Sequence, residues 1–221
     1  MAIPVRAVLA SALLAALPAK AEQPRGMQWV LVGITGGAGA ADPGSTTTYK
    51  SLGLAFDASA SVVDYLLEGA GIPRFRFGDQ LLLRLGVEKP DGVRSPGAAS
   101  PESVMFPMMF GIGGQAAFAV TDAIDVMLAV SWRDFENHSR NASASLSSVV
   151  VEGTLRVAEV TVAASGGPNV MSASVRLGGG PARKSNGFIG ARLERLTDYP
   201  IVGSDADRGL WRLLIGLGAS Y

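Results

Sequence analysis

The chain contains a single histidine and no cysteine. Nucleophilic catalysis would therefore have to run through a hydroxyl, with His138 as its base, and the adjacent hydroxyl is Ser139. Thiolate metal sites, disulfide frameworks and cysteine nucleophiles are excluded by composition, and no residue cluster calls for a metal or a cofactor. A second set of residues could also do chemistry. Arg84, Glu88, Arg133, Arg192, Glu194 and Arg212 recur at alternate positions within apolar stretches. On strands they would share the face opposite the apolar one, where opposite charges either pair with one another or line a narrow, selective pore.

The stretch that shows most clearly which elements carry these residues is the C-terminus, 209–221. Trp211, Leu213, Ile215, Leu217, Ala219 and Tyr221 form one apolar face, against Leu210, Arg212, Leu214, Gly216, Gly218 and Ser220 on the other. This is a period-two strand, aromatic at both ends of its apolar face. Ten residues at about 3.3 Å each, tilted by roughly 40°, rise about 25 Å, the height of the apolar band of an outer-membrane barrel. Trp211 and Tyr221 then fall at its two interfaces, and Trp132 has the same role on an earlier strand. With Tyr221 at its end and Gly216 upstream, the stretch resembles the closing strand of bacterial outer-membrane β-barrels. That resemblance implies a small porin-like or OmpA-like barrel, and recognition of the C-terminal strand by the barrel-assembly machinery.

The rest of the chain repeats the alternation. Strands are expected from Met27 to Thr35, Thr47 to Asp57, Gln80 to Glu88, Phe106 to Thr121, Ile124 to Phe135, Ser147 to Val157, Glu159 to Ala164, Val170 to Leu177 and Gly187 to Leu196. Residues 62–71 fit either a strand or a short amphipathic helix. Gly36 to Ser45, Asp57 to Ser61, Lys89 to Ser103, Glu136 to Ser145, Gly178 to Ser185 and Thr197 to Arg208 read as connections, and Gly78-Asp79 as a tight turn. The Gly-rich run after Thr35 is no phosphate loop, because Pro43 and a run of Thr follow it instead of a helix. The expected fold is all-β: a closed antiparallel transmembrane barrel of eight to ten strands, or twelve if every short piece is separate. It would be an up-and-down meander with short periplasmic turns and longer extracellular loops. The 28 glycines suit a crowded lumen, and ring closure would stabilise a fold that has no disulfides.

Around the histidine, His138-Ser139-Arg140-Asn141-Ala142 resembles the His-x-Ser-Asn-Ala motif of PagL-type lipid A deacylases, which are barrels too. The resemblance implies a hydrolase using His138 and Ser139. The spacing departs from the motif, because adjacent strand residues point to opposite faces while residues two apart share one. An exposed loop histidine is the alternative. Asn137-His138-Ser139 and Asn141-Ala142-Ser143 also match the glycosylation pattern, which matters only in a eukaryotic secretory pathway.

The N-terminus reads as a signal peptide over 1–21, with Arg6, an apolar run from Ala7 to Leu17, and the small-residue site Ala19-Lys20-Ala21. One barrel domain, 22–221, follows. The expected location is the bacterial outer membrane, with outer-membrane lipids as partners, a monomer as the working state and no enzymatic activity. The near-neutral charge gives no reason to expect nucleic acid. Two other functions fit the pattern: the lipid A deacylase-like hydrolase, and a secreted or periplasmic β-sandwich that binds a ligand.

Overall fold

The computed structural model describes residues 28–40, 48–63, 66, 70, 77–91, 106–121, 123–139, 142–178, 186–197 and 210–220. Ten strands follow in order: β1 Trp29–Ala40, β2 Thr48–Ala60, β3 Phe77–Asp91, β4 Phe106–Thr121, β5 Ile124–Ser139, β6 Ala142–Val157, β7 Val160–Gly166, β8 Val170–Gly178, β9 Asn186–Leu196 and β10 Leu210–Ser220. Each pairs antiparallel with the next, and β10 pairs with β1, so the sheet closes into one ring with meander order. A single closed ring excludes the β-sandwich, which needs two packed sheets.

The burial pattern is inverted relative to a soluble protein. Arg84, Glu88, Asp57, Arg133, Glu194 and Arg212 are buried, while Ile34, Leu54, Ile112, Leu128, Ile189, Ile215 and Leu217 stand exposed. Alternation alone produces this once the ring closes, because every second side chain points into the lumen. Trp132 and Trp211 point outward, at 42% and 47% exposure, and Arg133 and Arg212 inward. Tyr221 lies outside the described residues, as does the expected signal peptide, 1–21.

Ten strands stand where the sequence allowed eight to twelve, and several ends differ from expectation. Asp57 to Ala60 of the expected turn Asp57 to Ser61 is the end of β2, Gly78-Asp79 belongs to β3, and Gly36 to Ala40 extends β1. The expected loop Glu136 to Ser145 is mostly strand, with Asn137↔Ala144 and His138↔Ser143 in register. In each case small or polar residues occupy strand positions whose partners, not their own propensity, hold them extended. Residues 62, 63 and 66 are helical, which favours the helix over the strand there.

The rim at which β1 begins and β10 ends carries two-residue connections after β4 and β6. The second places Ala158 at φ 52°, and its amide donates to Ala123 O of the first at 2.7 Å. The asymmetry of short turns and long loops is incomplete: 61–76 is a long connection at this rim, and 140–141 a very short one at the opposite rim. At Gly33 and Gly216, paired across the β1–β10 seam, a Cβ on either would lie 2.1 Å from the facing strand's carbonyl oxygen. Closure of the ring needs glycine at both positions.

Candidate functional site

The site the strands assemble is the filling of the lumen. Asp57 on β2 is its hub. Arg84 on β3 donates to it through Nε at 2.6 Å, and Arg192 on β9 through Nη1 at 2.7 Å. Arg84 also reaches Glu194 on β9 at 2.6 Å, so one guanidinium ties together strands separated round the wall by β2, β1 and β10. Arg212 on β10 pairs with Glu88 on β3, and Glu88 accepts from Ser51 at 2.8 Å and Thr35 at 3.2 Å. A ten-stranded ring is wider than the eight-stranded ring that side chains just fill, and long charged side chains meeting across the centre occupy the difference. The cavity among Thr35, Ala55, Arg84, Arg192, Glu194, Arg212 and Leu214 measures about 10 Å³, which is room for about one water.

Further pairs lie along the wall. Arg133 on β5 meets Glu152 on β6 at 2.9 Å, and Arg156 on β6 donates through Nε to Asp125 on β5 at 2.6 Å. Trp29 is turned into the lumen, with the guanidinium carbons of Arg176 and Arg192 5.0 and 5.1 Å from its ring centroid. Apolar side chains close another part of the interior: Leu82, Met109, Phe135, Val150, Val170, Leu196 and Leu210 form one buried cluster. Ser59, Gln80, Gln115 and Thr154 present buried oxygens with no hydrogen-bond partner among the described residues, the kind of inventory that ordered water satisfies.

All six charges singled out in the sequence point inward. Arg84, Glu88, Glu194, Arg192 and Arg212 are brought together, and Arg133 sits nearer the β5–β6 wall. Asp57 escaped the sequence reading because DASAS has turn composition. The signal that would have found it is parity, since it continues the inward series Ser51, Gly53, Ala55. His138 and Ser139 are consecutive on β5 and so take alternate register positions. His138 shares its face with Trp132 and Glu136, and its Nε2 lies 2.7 Å from Glu136 Oε2. No described geometry joins the pair into a nucleophile and its base. Among the described residues there is no group of His, Asp and Glu that could hold a metal.

Comparisons with known proteins give no matching family model and no matching curated protein. Among solved structures, the chain is similar to Ail, the attachment invasion locus protein of Yersinia pestis, in complex with the heparin analogue sucrose octasulfate. Identity is 10% and the TM-score 0.36, over 89% of this chain and 99% of that one. A second structure of Ail gives 12% identity and a TM-score of 0.35 over the same shares. Neisserial surface protein A gives 10% and 0.35, over 89% of this chain and 98% of that one. The barrel itself rests on the strand pairing, which closes without a gap.

Proposed function

We propose that the protein is an integral outer-membrane β-barrel of structural type, its lumen sealed by ion pairs, with no catalytic centre. The observation that carries this is the inverted burial: charged residues inside, and a continuous belt of Leu, Ile, Val and Phe outside. In water such a belt would be a large exposed apolar surface; in a bilayer it is the surface lipid requires. The ring also satisfies the bilayer's other demand, that every strand be paired with no open edge in hydrocarbon. No described helix is long and apolar enough to cross a membrane, so spanning falls to the strands.

The cross-lumen pairs favour the sealed, structural reading over the porin-like one. In the assembly step, β10 is the strand offered to the barrel-assembly machinery, carrying Trp211, Leu213, Ile215 and Leu217 outward. Trp132 and Trp211 act as interfacial anchors. The test is fractionation together with electrophoresis and planar-bilayer recording. The mature chain should sediment with outer membranes, change apparent mass on heating and give no steady conductance. Recovery as a soluble protein after gentle lysis would defeat the membrane reading; a steady open current would defeat only the sealed lumen.

A further inference from the structure

The belt is not uniform. Where β10, β1 and β2 meet, the outward row Leu213–Gly36–Leu52 has a glycine at its centre, and the row above it, Trp211–Ala38–Lys50, has an alanine. The next rows on these strands, Ile215–Ile34–Leu54 and Leu217–Val32–Phe56, carry large residues. The two small residues leave a groove of about 610 Å³ whose lining includes Ile34, Leu52, Leu213 and Trp211, with Lys50 at its edge. That volume is in the range of small-molecule sites, roughly 300–1,000 Å³.

The margin of the groove carries the cations Lys50, Arg195 and Lys89. Arg195 on β9 stands exposed beside Trp211, its guanidinium carbon 5.7 Å from the ring centroid, and its register partners are Trp211 and Met171. Lys89 on β3 is exposed opposite Leu52. Lys50 faces Ala38 on one side and Asp91 on the other, whereas Arg195 and Lys89 have no acid as a register partner among the described pairings. Of the acids toward this rim, Asp91 at the end of β3 is in register with Lys50, while Asp134 and Glu136 are on β5, away from the groove.

We propose that this groove is a binding site for one membrane lipid with an anionic phosphate headgroup. An acyl chain lies over Gly36 and Ala38, and the phosphate is held by Arg195 and Lys50, with Lys89 adding to the local field. The inference rests on the membrane reading above. An apolar trough in a lipid-facing wall takes an acyl chain, and a basic margin at the level of an interfacial Trp meets a phosphate. With no acid among the described lining residues, the basic margin selects anionic over zwitterionic headgroups.

The test is native mass spectrometry of the detergent-purified full chain with added dioleoyl phosphatidylglycerol or dioleoyl phosphatidylcholine. The wild type should retain phosphatidylglycerol in preference to phosphatidylcholine. R195Q should reduce that preference about fivefold, and R195Q with K50Q more than tenfold. A38L, which fills the trough from an exposed position, should lower retention of both lipids. D134N with E136Q, remote from the groove, should match the wild type. Undiminished preference in folded R195Q/K50Q would overturn the site, and so would displacement of the lipid by inorganic phosphate, which marks a free-anion site. Heat-dependent mobility is recorded for every variant. Its absence in the wild type would fail the barrel reading, and the proposal with it, whereas a folded barrel without lipid preference fails the proposal alone.

Discussion

At the scale of the residue, the lumen is organised by Asp57, which accepts from two arginines on strands facing each other across the ring. Removing one partner of a buried pair leaves the other charge desolvated and uncompensated, a loss of about 3–5 kcal/mol. Arg84→Met should fall in that range, read as the denaturant midpoint of the heat-shiftable band. Asp57→Asn with Arg84→Met should cost less than the sum of the single changes, since they share one interaction. His138→Ala should leave the lipid A pattern of the host unchanged, checked by mass spectrometry of extracted lipid; loss of a deacylated species with the barrel still assembled would restore the hydrolase. How much of this was legible in the sequence follows from period two. Arg84, Glu194 and Arg212 could be placed inside because apolar neighbours fixed the parity of their strands, yet nothing local says which charge meets which. The Arg84–Glu194 pair joins positions 110 residues apart and exists only because the ring closes.

At the scale of the element, β10 and β4 were readable nearly end to end because their apolar faces are long and unbroken. The tops of β5 and β6 were not: Glu136 to Ser145 is polar on both faces, and its extension depends on sixteen registered positions across the hairpin. Lipid contact is what makes the outer face apolar, so strand segments that rise beyond the belt lose the pattern that marks them. For β10 the pattern gives a sharp expectation. Ile215→Arg places a charge near the middle of the belt and should cost about 2–4 kcal/mol. Gly216→Arg fails for another reason, because even a Cβ there lies 2.1 Å from Val32 O across the seam. Single cysteines from Leu213 to Leu217, probed with a lipid-confined reagent, should react at 213, 215 and 217 and not at 214 or 216. Protection of all five in folded protein would contradict the outward assignment.

At the scale of the whole molecule, the barrel is a wall selected by lipid and a core selected by charge. A ten-stranded ring left with small side chains would hold an aqueous channel; in the sealed-lumen reading proposed above guanidinium–carboxylate pairs close it, so the same residues bear on both stability and permeability. The sign of the residual charge makes this testable beyond silence in a bilayer. Of the central group, Arg84 and Arg212 are two of three cations, against Asp57, Glu88 and Glu194. With both changed to Ala, Arg192 and its neighbour at the Trp29 ring, Arg176, would be left with three carboxylates, while the Arg133–Glu152 and Arg156–Asp125 pairs stay neutral. The space vacated by two long side chains should fill with water, and the excess negative charge should admit cations ahead of anions. In a KCl gradient across a planar bilayer, the double variant should therefore carry a current whose reversal potential is displaced toward the K⁺ equilibrium value, and the wild type should carry none. A current of equal size in wild type and variant would mean that these pairs do not close the lumen. An anion-selective leak would mean that the carboxylates do not set the field inside it.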